Sequence, residues 1–141
     1  MRSGKAFALL ALRVSVGWLM LVWGVDKLVN PSHGVAVADR FYLGLFGTAS
    51  LMPVLGVAQL ALGLLVVAGV ARRYTYPVLA VITGVTLIGV WRSVIDPWGW
   101  ALDGSNALFF PSLIIFAGVV VLIAFRDEDV FAVGARPAPA T

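Results

Sequence analysis

Four apolar stretches, Ala6–Leu28, Ala49–Ala71, Thr75–Ile95 and Asn106–Phe125, occupy most of this chain. Each is close to the roughly 20 helical residues that cross the hydrocarbon core of a bilayer. In that core only helices and closed barrels satisfy every backbone N–H and C=O, and predominantly apolar runs of this length predict helices. Composition agrees: of 141 residues, 61% are hydrophobic and 12% charged, about half the charge of a soluble domain. The expected fold is all-α, a polytopic four-helix transmembrane bundle over residues 1–125. The first run reads as a retained helix rather than a cleaved signal, because Arg13 interrupts it and no small-x-small site follows. Residues 126–141 turn polar and then Ala/Pro-rich, and read as a disordered cytoplasmic tail.

A net charge of +3 and pI near 9.8 could suggest nucleic acid. The basic residues are instead scattered between apolar spans, with no cluster that could follow a phosphate backbone. In a membrane protein they report orientation. Arg2, Lys5, Arg72, Arg73, Arg126 and Arg136 fall on one side, against Lys27, Arg40 and Arg92 on the other. This asymmetry predicts a multi-pass protein of the cell inner (plasma) membrane with both termini cytoplasmic. The chain has no cysteine and one histidine, His33. Thiol relays, iron–sulfur clusters and thiolate metal sites are thereby excluded, as is a bis-histidine haem. No metal site is expected, and a redox role would need a bound organic cofactor or a partner protein.

On the outer side, Ala38, Phe41, Tyr42, Leu45 and Phe46 recur at helical spacing, with Asp39, Arg40 and Gly44 off the stripe. This pattern predicts a short amphipathic helix between the first two spans, lying on the membrane or folded over the bundle. The loop Asp96–Ser105 carries the turn signals Asp-Pro and Asp-Gly. Trp23, Trp91, Trp98 and Trp100 all fall toward this side, as an aromatic belt or as a stacking surface for a planar ring.

Within the first run, Arg13, Gly17, Met20, Gly24 and Lys27 step by 4, 3, 4 and 3 and share one seam. Glycines on such a seam let a neighbouring backbone approach. Gly56, Gln59 and Gly63 form a matching face on the second run. Arg13 and Gln59 either hydrogen-bond across this helix pair as structural glue or line a polar pocket with Lys27. Asp26 is unfavourably placed at a helix C-terminus and calls for a cationic partner, with Arg92 and Arg40 as candidates. His33 reads as a surface histidine, with proton exchange as the alternative. Thr83 and Thr86 are expected to bond their own backbone or a neighbouring helix. No catalytic residues can be named: no triad, intramembrane carboxylate pair or phosphate loop is present.

The pattern Arg13-x3-Gly17-x6-Gly24-x2-Lys27, followed by Gln59-x3-Gly63-Leu-Leu-Val-Val-Ala-Gly69-x2-Arg72, resembles the DoxX family of small four-helix membrane proteins. The resemblance covers roughly residues 8–95; the fourth run fits only as an apolar span. It implies a membrane subunit of a quinone-linked oxidoreductase system, after the archaeal thiosulfate:quinone oxidoreductase for which the family is named. An acidic residue is usual in the family where Gln59 stands, and an amide does not titrate.

These readings combine into an accessory membrane subunit, more than a stand-alone enzyme. It would bind a quinone or lipid in a pocket formed by Arg13, Lys27, Gln59, Asp26, Arg92, Trp23 and Trp91, with no covalent cofactor. The lipid bilayer, a soluble or membrane redox partner and further copies of the chain are its expected partners. One alternative is a non-catalytic anchor or assembly protein docking a soluble partner through its outer loops. Another is a small oligomeric transporter or channel, against which stand the lack of an internal repeat and of helices broken at the midplane.

Overall fold

A computed structural model describes residues 2–135 and contains six α-helices. Helix α1 runs Arg2–Val29, α2 Pro31–Phe41, α3 Met52–Ala68, α4 Arg72–Gly89, α5 Trp91–Ile95 and α6 Pro111–Ala124. Short 3-10 turns at Ala107–Phe109 and Arg126–Glu128 flank α6. Proline opens α2, α3 and α6 within the first two helical positions, where its missing N–H would have no intrahelical partner.

Two segments, Ser3–Val29 and Ala107–Ala124, are long and apolar enough to cross a membrane. Met52–Ala68 is also apolar but shorter, and α4 begins with two arginines. In the most apolar 18-residue stretch of each long segment, only 33% and 11% of the residues are buried. Their outward faces carry exposed Trp18, Val22, Val25 and Ile114, the reverse of a core helix in a water-soluble protein. The molecule is therefore all-α and built around apolar helices whose apolar faces point outward.

The helices α1, α3, α4 and α6 form a ring, with the most extensive packing between α1 and α3 and between α4 and α6. All four contribute to one core: Val16 and Met20, Leu62 and Val66, Tyr76 and Leu79, Val119 and Leu122. The α1–α3 seam is the one expected from the glycine spacing. A Cβ added at Gly17 would lie 3.1 Å from the Gly63 oxygen, and one at Gly63 only 2.9 Å from the Gly17 oxygen. Gly24 and Gly56 oppose each other in the same way, each 2.9 Å from the other's carbonyl oxygen. Backbones this close leave no room for any side chain, and dispersion along the full seam holds the pair.

The amphipathic helix exists but sits earlier than the apolar stripe suggested. It ends at Phe41, and Leu43 and Phe46 adopt positive φ. Leu45 and Phe46 are consequently in a turn and exposed, whereas Ala38 is buried. The helix folds back over the bundle: the Tyr42 hydroxyl donates to Thr86 Oγ1 at 3.3 Å, and the Phe41 ring meets Phe109 edge-on at 5.0 Å. Thr83 and Thr86 also bond their own helix, donating to Leu79 and Ile82 carbonyls at 2.8 and 3.0 Å.

The expectation of a disordered tail fails over residues 126–135. This segment turns back across the end of the bundle; Asp129 and Ala132 are buried, and the Val133 N–H donates to the Ala68 carbonyl at 3.0 Å. The Phe131 ring packs 5.1 Å from that of Phe7. Residues 136–141 lie outside the described residues.

Candidate functional site

Two clusters of polar side chains enter the bundle, one near the middle of α1 and one near its C-terminal end. Arg13 and Lys27 are separated along that helix by about 21 Å at 1.5 Å per residue, and each belongs to a different cluster.

The first cluster is built on Arg13, 2% exposed, and Asp129, 1% exposed. The guanidinium Nε lies 3.1 Å from Asp129 Oδ2, while Nη2 donates to the Phe131 carbonyl at 3.2 Å. The Tyr76 hydroxyl donates to the same carboxylate oxygen at 3.3 Å. Arg72 Nη1 donates to the backbone carbonyls of Arg126 and, at 3.2 Å, Asp129. Arg13 Nε and Nη1 and Asp129 Oδ1 have no aligned hydrogen-bond partner, so charge attraction more than hydrogen bonding holds the pair. Gly69 makes the arrangement possible. It ends α3 in a left-handed conformation, φ 75°, and a Cβ there would fall 2.0 Å from Arg13 Nη1.

The second cluster joins Lys27 and Gln59. Lys27 Nζ donates to Gln59 Oε1 at 2.8 Å and reaches the Trp23 carbonyl at 3.5 Å. The amide nitrogen of Gln59 contacts Met20 Sδ at 3.6 Å. Gln59 is buried, Lys27 partly so, and the glycines on either side bring α1 and α3 close enough for the two side chains to meet.

The structure thus brings together only part of the expected set. Arg13 does not bond Gln59: helix side chains lean toward the N-terminus of their helix, which carries Arg13 toward the end where the C-terminal segment returns. Asp26 does not pair with Arg92 or Arg40. Its Oδ2 lies 2.7 Å from His33 Nδ1, in a partly exposed pair that the tight α1–α2 connection creates. Arg92 donates to the Asp103 carbonyl at 3.3 Å and lies over the Trp91 ring at 5.7 Å, so it braces the loop before α6.

The four tryptophans do not act as one surface. Trp23 packs against the core, whereas Trp91 is exposed. Trp98 and Trp100 stack on each other at 5.0 Å, with exposures of 69% and 84%. The loop that presents them is organised by Asp96, whose carboxylate accepts the N–H groups of Ala101 at 2.7 Å, Leu102 at 2.9 Å and Trp100 at 3.1 Å. The Ala101 N–H leads these bonds in holding the Asp96 carboxyl below its ordinary value of 3.8.

Asp129, Tyr76 and Arg72 were missed as site residues, although a signal existed. The acidic residues are Asp26, Asp39, Asp96, Asp103, Asp127, Glu128 and Asp129, and only the last three fall on Arg13's side of the spans. Among the described residues no cluster of three His, Cys, Asp or Glu side chains could hold a metal ion.

Apolar helices with outward apolar faces, a glycine-lined helix pair and a buried charge held by its counter-charge define a helical membrane protein. The family model DoxX matches residues 8–92, more than half of the chain, and the protein belongs to the DoxX family. No curated protein and no solved structure matches.

Proposed function

We propose that this DoxX-family protein spans the inner membrane four times, with both termini cytoplasmic, and serves a quinone-linked oxidoreductase system as an accessory subunit. Its quinone site is the Lys27–Gln59 cluster. The observation that carries this reading is the Lys27 ammonium itself. It has three N–H donors; Gln59 Oε1 takes one at 2.8 Å, and the Trp23 carbonyl lies at the limit of a second. At least one donor remains for a carbonyl ligand. A quinone carbonyl fits that donor, and the apolar outer faces of α1 and α3 suit an isoprenoid tail.

Bound there, a quinone would supply two-electron redox chemistry. The chain's own contribution is binding and orientation: Gln59 fixes the ammonium, Met20 occupies the amide's other side, and Trp23 closes the core beneath. Gln59 is an amide, so it holds a donor in place and carries no proton of the reaction. Arg13 stands outside this site, since Asp129 neutralises it at the other end.

Native mass spectrometry of the gently extracted protein, with organic extraction of what co-purifies, tests the site. Wild type is expected to retain stoichiometric quinone, and a folded Lys27→Met variant to lose it. Quinone-free wild type, or a variant that keeps its quinone, overturns the assignment. The absence of native cysteine makes single-cysteine labelling at Ser3 and Ser50 a direct test of topology, with opposite accessibility expected.

The exposed Trp98–Trp100 stack favours a second reading, in which the outer loops dock a soluble partner. Replacing both tryptophans by alanine would then abolish partner recovery while leaving quinone retention unchanged.

A further inference from the structure

We propose that the cleft beside the α3–α4 turn binds the phosphate of an anionic lipid headgroup. The inference rests on the four-span reading, which places this end of the bundle at a leaflet surface.

The cleft, about 740 Å³, lies between two walls. One is the turn itself, where Gly69 and Ala71 take positive φ and swing Arg72 and Arg73 to the rim. The other is the returning C-terminal segment, with Arg126, Asp127 and Gly134. The cleft thus exists because the buried Arg13–Asp129 pair draws that segment across the bundle.

Its charge follows from where the three acidic residues of the segment go. Asp129 points into the core and is neutralised by Arg13. Glu128 pairs with Lys5 of α1. Among the described residues only Asp127 lines the cleft, its Oδ1 lying 3.4 Å from Arg126 Nε. Three guanidinium groups therefore face one carboxylate.

Arg72 is also pre-organised. One of its nitrogens is fixed by the carbonyls of Arg126 and Asp129, which are neutral, and among the described residues it forms no ion pair with a carboxylate. Planar guanidinium groups held in this way suit the paired oxygens of a phosphate. The rim continues into apolar surface: Tyr74 is 68% exposed, with the Arg73 guanidinium 5.9 Å from its ring centre, and Val78 lies exposed one helical turn further along α4. A polar-tipped aromatic below an apolar helix face matches a headgroup with its acyl chains alongside.

The test uses the full chain reconstituted in vesicles of mixed phosphatidylcholine and phosphatidylglycerol, followed by native mass spectrometry of retained lipid. Wild type is expected to prefer phosphatidylglycerol by about thirtyfold, the size of effect that a net two basic side chains give near a surface. Arg73→Gln/Arg126→Gln should lose the preference, and Arg73→Lys/Arg126→Lys should keep part of it, having the charge without the planar fork. Arg72 is left intact because it anchors the returning segment. Equal retention of both lipids by wild type, or an unchanged preference in the Gln variant, overturns the proposal. So does displacement of the lipid by millimolar inorganic phosphate, which would mark a site for the free anion. Quinone read in the same spectra and cysteine labelling in the same vesicles report the outer site and the topology separately, so failure of either is distinguishable from failure here.

Discussion

Arg13 and Asp129 meet in the core with Nε and Oδ2 3.1 Å apart, although one lies on the first helix and the other follows the last. Asp129→Ala leaves a buried guanidinium without its counter-charge, and removal of one member of such a pair is expected to reduce stability by about 3–5 kcal/mol. Replacing both, as in Arg13→Met/Asp129→Leu, should recover most of that loss. Denaturant unfolding in mixed micelles measures both. A single variant within about 1 kcal/mol of wild type, the range of an exposed pair, would show that the two charges are not desolvated.

The α1–α3 seam distinguishes its glycines from others in the same helices. Gly63→Ala would push a methyl against the Gly17 carbonyl and Leu21, and should cost about 1–3 kcal/mol through overpacking. Gly4 has nothing within 4 Å of its added Cβ. Gly4→Ala should be neutral or stabilising by up to about 1 kcal/mol, measured in the same unfolding assay.

At the Lys27–Gln59 cluster, shape and chemistry can be separated. Gln59→Leu deprives the Lys27 ammonium of its acceptor and should destabilise by about 1–3 kcal/mol. Gln59→Glu keeps an acceptor oxygen, so it should retain both fold and the Lys27 contact. Equal loss in the two variants would mean that Lys27 Nζ does not depend on this oxygen.

The loop after α5 should respond to acid. The Asp96 carboxyl is held below 3.8 by N–H groups of the folded loop, so its contribution is fully present above that value and is lost as pH falls through the lower, folded-state pKa. Stacked Trp98 and Trp100 report the change. Their fluorescence is expected to stay constant from neutral pH down to about 4 and to shift only below it. Asp96→Ala should show the disordered-loop signal at every pH.

Much of the helical framework was legible because membrane helices advertise themselves. Long apolar runs, the 4-3-4-3 spacing of Arg13 to Lys27 and the matching Gly56–Gln59–Gly63 face each reflect a local period, and the α1–α3 seam follows from them. Partners across long sequence separation were not legible from spacing. Nothing in the spacing around Arg13 distinguishes Gln59 from Asp129 as its partner, since that choice depends on which end of the helix its side chain leans toward. The returning segment also lacks a periodic pattern; single buried positions such as Asp129 and Ala132 hold it. Leu45 and Phe46 fitted a helical stripe because spacing is blind to the positive φ at Leu43 that ends the helix first.

The Arg13–Asp129 pair also has a place in time. Ribosomes deliver α1 long before residue 129, so Arg13 enters its apolar surroundings with no carboxylate to meet it. Until α6 has been made and the chain has doubled back, the nascent protein carries an open charge in its core. Closure of that pair must wait until nearly all of the helical framework has been made, and a chain stalled before it presents an unneutralised arginine to whatever inspects unfinished membrane proteins.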